Sequence, residues 1–123
     1  MPDGKAVVTR LVDAANARAW EVLLATCSPD VSVQHPLAEG PAQGLDELRD
    51  FFEESIEALP DQYLQIVTML AEGDVVALEG RITATREGET VATPCAFFFT
   101  VRDGTVREIR MYYDTAAAGD GEE

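Results

Sequence analysis

Apolar residues recur at three- and four-residue steps over the first sixty positions and at every second position afterwards, so the pattern divides the chain into a helical part and a strand part. Between Lys5 and Ala17, the residues Val7, Val8, Leu11, Val12 and Ala15 fall on one face of a predicted helix, with Asp3 placed to cap it. A second, shorter helix carries Trp20, Leu23 and Leu24, and Ser28-Pro29-Asp30 stops it. The alternating stretch Val31-Ser32-Val33-Gln34-His35 then reads as a short strand. A loop bearing glycine and proline, Leu37 to Gly44, leads into a third helix. Its stripe is Leu45, Leu48, Phe52, Ile56 and Leu59, its early acids Asp46 and Glu47 suit the helix dipole, and Pro60 ends it.

Four strand-like runs follow, Tyr63 to Ala71, Val75 to Thr85, Thr90 to Val101 and Thr105 to Asp114. The pieces between them each contain glycine, and Asp103-Gly104 is the strongest two-residue hairpin signal. Consecutive hairpins predict an antiparallel meander. Several strands are apolar on both faces, as in Leu64, Ile66, Val67, Met69 and Leu70, or Phe97-Phe98-Phe99. One face can pack on the helices while the other lines a cavity or an oligomer interface. The outer face therefore predicts a homodimer, because so large an exposed apolar patch is unusual on a monomer.

Composition narrows the functions. A chain of 123 residues is expected to form one domain, residues 1–115, followed by an acidic, disordered tail at 116–123. Nine Lys and Arg against 23 Asp and Glu give a net charge of −14, which is repelled by phosphate backbones and anionic lipid; nucleic-acid and membrane partners are discarded first. Cys27 and Cys95 form no CxxC or metal spacing and read as two reduced, buried thiols of a cytoplasmic protein, a single disulfide being the alternative. With one histidine and no HExxH, neither a metal nor a cofactor is expected. The N-terminus has no leader pattern, and no apolar run approaches the roughly 18 residues of a membrane span.

His35, that one histidine, shares strand parity with Val31 and Val33, so the burial of the two valines turns the imidazole inward as well. A titratable ring at the mouth of a fold is a candidate general base. A histidine hydrogen-bonded through its nitrogens at a strand end is the structural alternative.

The order helix, helix, short strand, helix, four-stranded meander, together with Trp20, Asp30-Val31-Ser32-Val33-Gln34-His35-Pro36, Gly44, Leu48, Phe51-Phe52, Arg102-Asp103-Gly104 and Met111-Tyr112-Tyr113-Asp114, resembles the nuclear transport factor 2-like superfamily. Within it the chain resembles the SnoaL-like, polyketide cyclase-like branch, and is similar more distantly to limonene epoxide hydrolase and ketosteroid isomerase. The resemblance implies an α+β fold in which three N-terminal helices pack on a curved, mainly antiparallel sheet that forms a cone-shaped barrel.

Site residues transfer position by position. The steroid isomerases' basic aspartate, followed by proline, looks like His35-Pro36, whereas their two oxyanion donors look like Leu11 and Ala96, which have no donor to offer. In the epoxide hydrolases' Asp-Arg-Asp constellation, the arginine and one acid look like Arg81 and Asp114, and the remaining acid position is Thr83. SnoaL-like cyclases place an acid near the end of the last strand, where Asp114 stands. With ideal two-residue hairpins, Arg81 faces Pro94 and then Tyr113, while Asp114 faces Thr93, on the opposite side of the sheet. A β-bulge near Pro94 would bring both to the cavity. Without it, Phe98, Ile109, Met111, Tyr113 and Arg81 share the cavity face.

The expected function is a cofactor-independent acid/base isomerase, cyclase or lyase acting on a hydrophobic, carbonyl-bearing small molecule. His35, Asp114 and Arg81 are its candidate catalytic groups, and Trp20, Phe52, Phe98, Met111 and Tyr113 are its candidate substrate contacts. A non-catalytic binder of a similar ligand and an epoxide hydrolase-like enzyme are the alternatives.

Overall fold

A computed structural model describes residues 3–36 and 38–114 of the chain. The expected acidic tail lies outside the described residues. The elements run α1 (Gly4–Ala17), α2 (Trp20–Ala25), β1 (Cys27–Gln34), β2 (Ala42–Gln43), α3 (Gly44–Ala58), β3 (Tyr63–Glu72), β4 (Val75–Arg86), β5 (Glu89–Arg102) and β6 (Thr105–Tyr113). Asp3 caps α1 as its position predicts, its Oδ1 accepting from the Ala6 N–H at 2.8 Å. The meander strands end within a residue of the hydrophobic pattern because each is closed by a two-residue loop. In two of these loops, Glu87-Gly88 and Asp103-Gly104, both residues take positive φ, the twist a tight hairpin needs.

The helix–strand boundary at residue 27 differs from expectation. Ser28-Pro29-Asp30 does not stop the chain; it lies inside β1, where the pairing with β6 slips between Cys27 and Ser32. Pro29 has no N–H for the ladder, so a turn signal has become an irregular strand. The two-residue β2, unpredicted, pairs antiparallel with β1 through Ser32↔Gln43 and Val33↔Ala42.

The six strands lie in the order β2-β1-β6-β5-β4-β3, with β1 parallel to β6 and every other pair antiparallel. The α+β class holds, but the cone-shaped barrel is corrected: the sheet is open, with β2 and β3 at its two ends and no pairing between them among the described residues. Closure requires a continuous staggered ladder around the ring, which a two-residue terminal strand cannot supply. The helices bury the inner face instead.

They do so unequally. α1 lies across β3, β4, β5 and β6, whereas α3 packs chiefly on β1, β2 and α2. Under α1 the packing is solid, with Val7, Val8, Leu78, Phe99, Val106 and Ile109 all at most 3% exposed. Burial of such a side chain contributes about 1.5–3 kcal/mol. Beyond that core the inner face of the sheet continues with α3 standing off it. Among the described residues no helix is long and apolar enough to cross a membrane.

Candidate functional site: an apolar cavity with a His–Tyr pair

Between α3 and the far end of the sheet the structure encloses a cavity of about 420 Å³, within the roughly 300–1,000 Å³ range of small-molecule sites. Its floor is the inward row of the meander: Ile82 and Ala84 of β4, Val91, Thr93 and Phe97 of β5, Met111 and Tyr113 of β6. The strict alternation of these positions follows from the pleat. Its roof is Phe51, Phe52 and Ile56 of α3 with Trp20 at the start of α2. Trp20 stacks on Phe52 at a centroid distance of 6.2 Å, and Phe51 meets Phe52 edge-on at 5.2 Å, so the roof is a braced aromatic layer.

His35 stands just past the end of β1, half-buried, with its ring facing the cavity as the parity of Val31 and Val33 requires. Its Nε2 lies 2.7 Å from the Tyr113 hydroxyl oxygen, and Phe51 and Tyr113 both approach its ring edge-on, at 5.2 and 5.3 Å. Burial lowers the His35 pKa below the ordinary imidazole value, so the neutral ring is favoured at pH 7. Burial also raises the Tyr113 phenol, and the positive charge of Arg86 partly offsets that rise. The pair is therefore a neutral imidazole hydrogen-bonded to a neutral phenol at the wall of an apolar chamber.

The rim is held by backbone contacts. Arg18, in the left-handed conformation at the C-terminus of α1 (φ 60°), donates through its guanidinium to the carbonyls of Ala15, Asn16, Pro60 and Gln62. Asn16 acts as a substitute strand partner for the edge of β3, donating to the Leu64 carbonyl and accepting from the Leu64 N–H, each at 2.9 Å. Gln62 ties the loop to α3 through Ser55 and Leu59. These contacts fix the chain between α3 and β3 and keep the cavity's mouth in place.

Of the residues predicted from sequence, His35, Trp20, Phe52, Met111 and Tyr113 line this one cavity. Arg81, Asp114 and Phe98 do not. The β5–β6 ladder does contain a register shift, but between Thr100 and Val101 rather than near Pro94: Thr100 pairs with Glu108 and Val101 with Val106, leaving Arg107 as the extra residue. The shift turns Ile109, Met111 and Tyr113 inward together with Phe97. Arg81 pairs with Pro94 and Phe98 with Arg110 on the opposite, outer face. There Arg110 lies 5.6 Å over the Phe98 ring and pairs with Glu108. Asp114, one residue beyond the end of β6, is exposed and does not line the cavity. The bulge thus lies at Arg107 and not near Pro94, and Arg81 stays on the side away from the cavity.

Sequence reasoning passed over Arg86, Phe51 and the Tyr113 hydroxyl as a reacting group. Arg86 carries the parity of Ile82 and Ala84 in β4, and that alternation was the available signal. Cys27 and Cys95 are free and buried, and burial pushes their thiols up to about 12 and about 11, which leaves them unreactive packing groups.

A helical layer on an open mixed sheet, enclosing an apolar chamber with a titratable pair in its wall, is a fold shared with solved nuclear transport factor 2-like proteins. The SnoaL-like domain family matches residues 8–109, and the chain belongs to that family. Solved structures agree on the fold. TerC, co-crystallised with polyporic acid, is 22% identical with a TM-score of 0.84, the match covering 92% of each chain. Bal32a, from a soil-derived mobile gene cassette, is 21% identical with a TM-score of 0.84, covering 93% of this chain and 92% of its own. An NTF2-like protein of unknown function from Burkholderia pseudomallei is 20% identical at 0.84, covering 94% of both. No curated protein matches the chain.

Proposed function

We propose that the protein catalyses a cofactor-independent proton transfer on an apolar, carbonyl-bearing small molecule, an isomerisation, cyclisation or elimination that proceeds through an enol. The observation that carries this reading is the 2.7 Å contact between the Tyr113 hydroxyl and His35 Nε2 at the wall of an apolar cavity. Tyr113 stands in place of Asp114 as the partner of His35, but as a proton relay and not as the acid that sequence reasoning expected of Asp114. The Tyr113 oxygen removes a proton from the carbon beside the substrate carbonyl while its own proton passes to His35 Nε2. The C–H electron pair becomes the enolate, and His35 becomes imidazolium. Returning the proton at another atom, or bond formation by the enolate, completes the turnover and regenerates the neutral pair. Each well-placed acid or base typically contributes about 10²–10⁴-fold. Trp20, Phe52 and Met111 hold the apolar body of the substrate, and shape selectivity resides in their packing.

The test is α-proton exchange in D₂O, followed by NMR over a panel of aromatic ketones and 1,3-diketones. Wild type is expected to accelerate exchange of at least one member, and Tyr113→Phe and His35→Gln are each expected to lose about 10²-fold or more of that acceleration. Exchange at the buffer rate for every member, with binding retained, supports the second reading, a non-catalytic binder of the same kind of ligand. One observation favours that reading: the side-chain N–H groups of Asn16 and Gln62 are already engaged with the backbone, leaving few donors for a developing oxyanion.

The outer face suits a second copy of this chain. Leu70 (67% exposed), Tyr112 (50%) and Val75 (39%) stand on it around the half-buried Phe98. Light scattering coupled to size exclusion is expected to give twice the monomer mass, and the monomer mass in the variant Leu70→Asp/Tyr112→Asp.

A further inference from the structure

We propose that Thr93 is the binding point for the ligand's oxygen, its hydroxyl donating to a neutral carbonyl group of an otherwise apolar molecule held in the cavity. The inference rests on the cavity being a small-molecule site and deepens the reading above by orienting the substrate there. Thr26, Ser28 and Thr93 are the polar residues buried among the described ones. Two of them are satisfied within the fold: the Thr26 hydroxyl donates to the Val22 carbonyl at 2.7 Å and the Ser28 hydroxyl to Asp30 Oδ1 at 2.9 Å. The Thr93 side chain, at 8% exposure, has no partner among the described residues. Its oxygen is not sealed either. Among the described residues the side-chain polar atom that is both closed off and unpartnered is Arg107 Nε, toward the other end of the sheet. The Thr93 oxygen therefore keeps open surface, and the space it borders is the cavity that Thr93 lines.

The pleat of β5 turns Thr93 inward with Val91 and Phe97, opposite Ile82 of β4. Valine has the same shape and would complete an apolar floor at that position. A hydroxyl there has lost its hydration and recovers it from a partner inside the chamber. Neighbouring polar groups of the wall are committed elsewhere: the Asn16 and Gln62 amides to the backbone, and Tyr113 to His35. With the Tyr113 proton directed at His35 Nε2, the tyrosine oxygen offers the chamber a lone pair and Thr93 offers it a proton. Cys95 lies opposite Tyr113 in the β5–β6 ladder, so Thr93 is the diagonal neighbour of Tyr113 on the same face, about 7–8 Å away between Cα atoms. A ketone lying on this floor points its carbonyl oxygen at Thr93 and its α-carbon at Tyr113. One neutral donor suits a neutral acceptor, since it cannot offset the desolvation of an anion. As an enolate forms, the same hydroxyl faces the negative charge developing on that oxygen.

The experiment compares 2-acetylnaphthalene with 2-isopropenylnaphthalene, which has the same outline but a methylene in place of the carbonyl oxygen, each titrated calorimetrically into the full chain. The carbonyl stretch of the bound ketone is read by isotope-edited infrared spectroscopy. Thr93→Val is expected to lower the ketone-to-hydrocarbon affinity ratio about 3–10-fold, to bind the hydrocarbon no more weakly than wild type, and to raise the carbonyl stretch by removing its hydrogen bond. Thr93→Ser should keep the ratio within about two-fold, and Thr90→Val, exposed on the same strand, should change neither probe. Without ligand, Thr93→Val should melt no lower than wild type, because no contact within the fold is lost. A ratio or a carbonyl stretch unchanged in Thr93→Val overturns the proposal, as does a lowered melting point with the ratio intact, the mark of a hydroxyl that only supports the fold. Binding of neither probe by wild type sinks the small-molecule reading of the cavity and this inference with it. Binding that ignores Thr93 sinks this inference alone, and Thr93-dependent binding without ketone exchange sinks only the catalytic reading.

Discussion

The two ends of the same inner sheet face are written in the same code and do different things. On β4 and β5 the inward positions Val76, Leu78, Phe99 and Val101 are sealed under α1, each at most 7% exposed. A few residues further along the same strands, Ile82, Ala84, Val91 and Thr93 line an open chamber. Alternation specifies which way a side chain points and says nothing about whether anything meets it there. The difference comes from the helices: α1 lies on the meander, while α3 rests mainly on β1 and β2 and only roofs the far end. The titratable pair and Thr93 occur at the unfilled end, where a ligand has room to reach them.

Truncations at the two ends should separate sharply in urea denaturation. Phe99→Ala, at 1% exposure in the solid core, is expected to cost about 3–5 kcal/mol. Ile82→Ala, whose side chain already borders empty space, should cost about 1 kcal/mol because it enlarges a cavity instead of creating one, and should alter ligand binding. Comparable losses at both sites would abolish the distinction drawn here. Between the two ends, Gly80 permits the close approach of β3 at the slip between Ile66 and Thr68. A Cβ there would stand 2.8 Å from the Gln65 carbonyl oxygen, so Gly80→Ala is expected to cost about 1–3 kcal/mol, read from the same denaturation curves. Smallest of all is the exposed Arg102–Asp74 pair at 3.2 Å. Arg102→Ala should cost no more than about 1 kcal/mol.

The hollow end should also carry the pH dependence. His35 has a folded pKa below its unfolded value, so the unfolded chain binds more protons in the window between the two. The stability it contributes is therefore full above the ordinary imidazole pKa and is lost as pH falls through the lowered folded value. The acid limb of any exchange activity should share that lowered midpoint, whereas Tyr113, raised by burial, stays protonated past the usual phenol range. His35→Gln should remove the acid-side stability change, which thermal melts across pH 5–7.5 would register.

Much of this was legible in the sequence. The change of period at Pro60, the three hairpin turns and the parity of Val31, Val33 and His35 gave the elements, the meander and the inward imidazole, because each depends on local geometry. Closure of the sheet was not legible, since it depends on whether distant edges meet, and β2 is too short to register as a strand. Arg81, Phe98 and Asp114 were misplaced for a related reason. One extra residue, Arg107, decides which face the end of β6 presents, and nothing in Thr105-Val106-Arg107-Glu108 announces a bulge. A small error of register therefore exchanged the partner of His35, Asp114 for its neighbour Tyr113.

Because His35 is the only histidine, its two ring nitrogens can be followed without ambiguity by ¹⁵N NMR through a pH titration of the intact protein. The account predicts a neutral ring at pH 7, an unprotonated Nε2 accepting from Tyr113, a midpoint below the ordinary imidazole value, and a change in the Nε2 resonance in Tyr113→Phe. A ring that titrates at or above the ordinary value and does not respond to loss of the Tyr113 hydroxyl would contradict it.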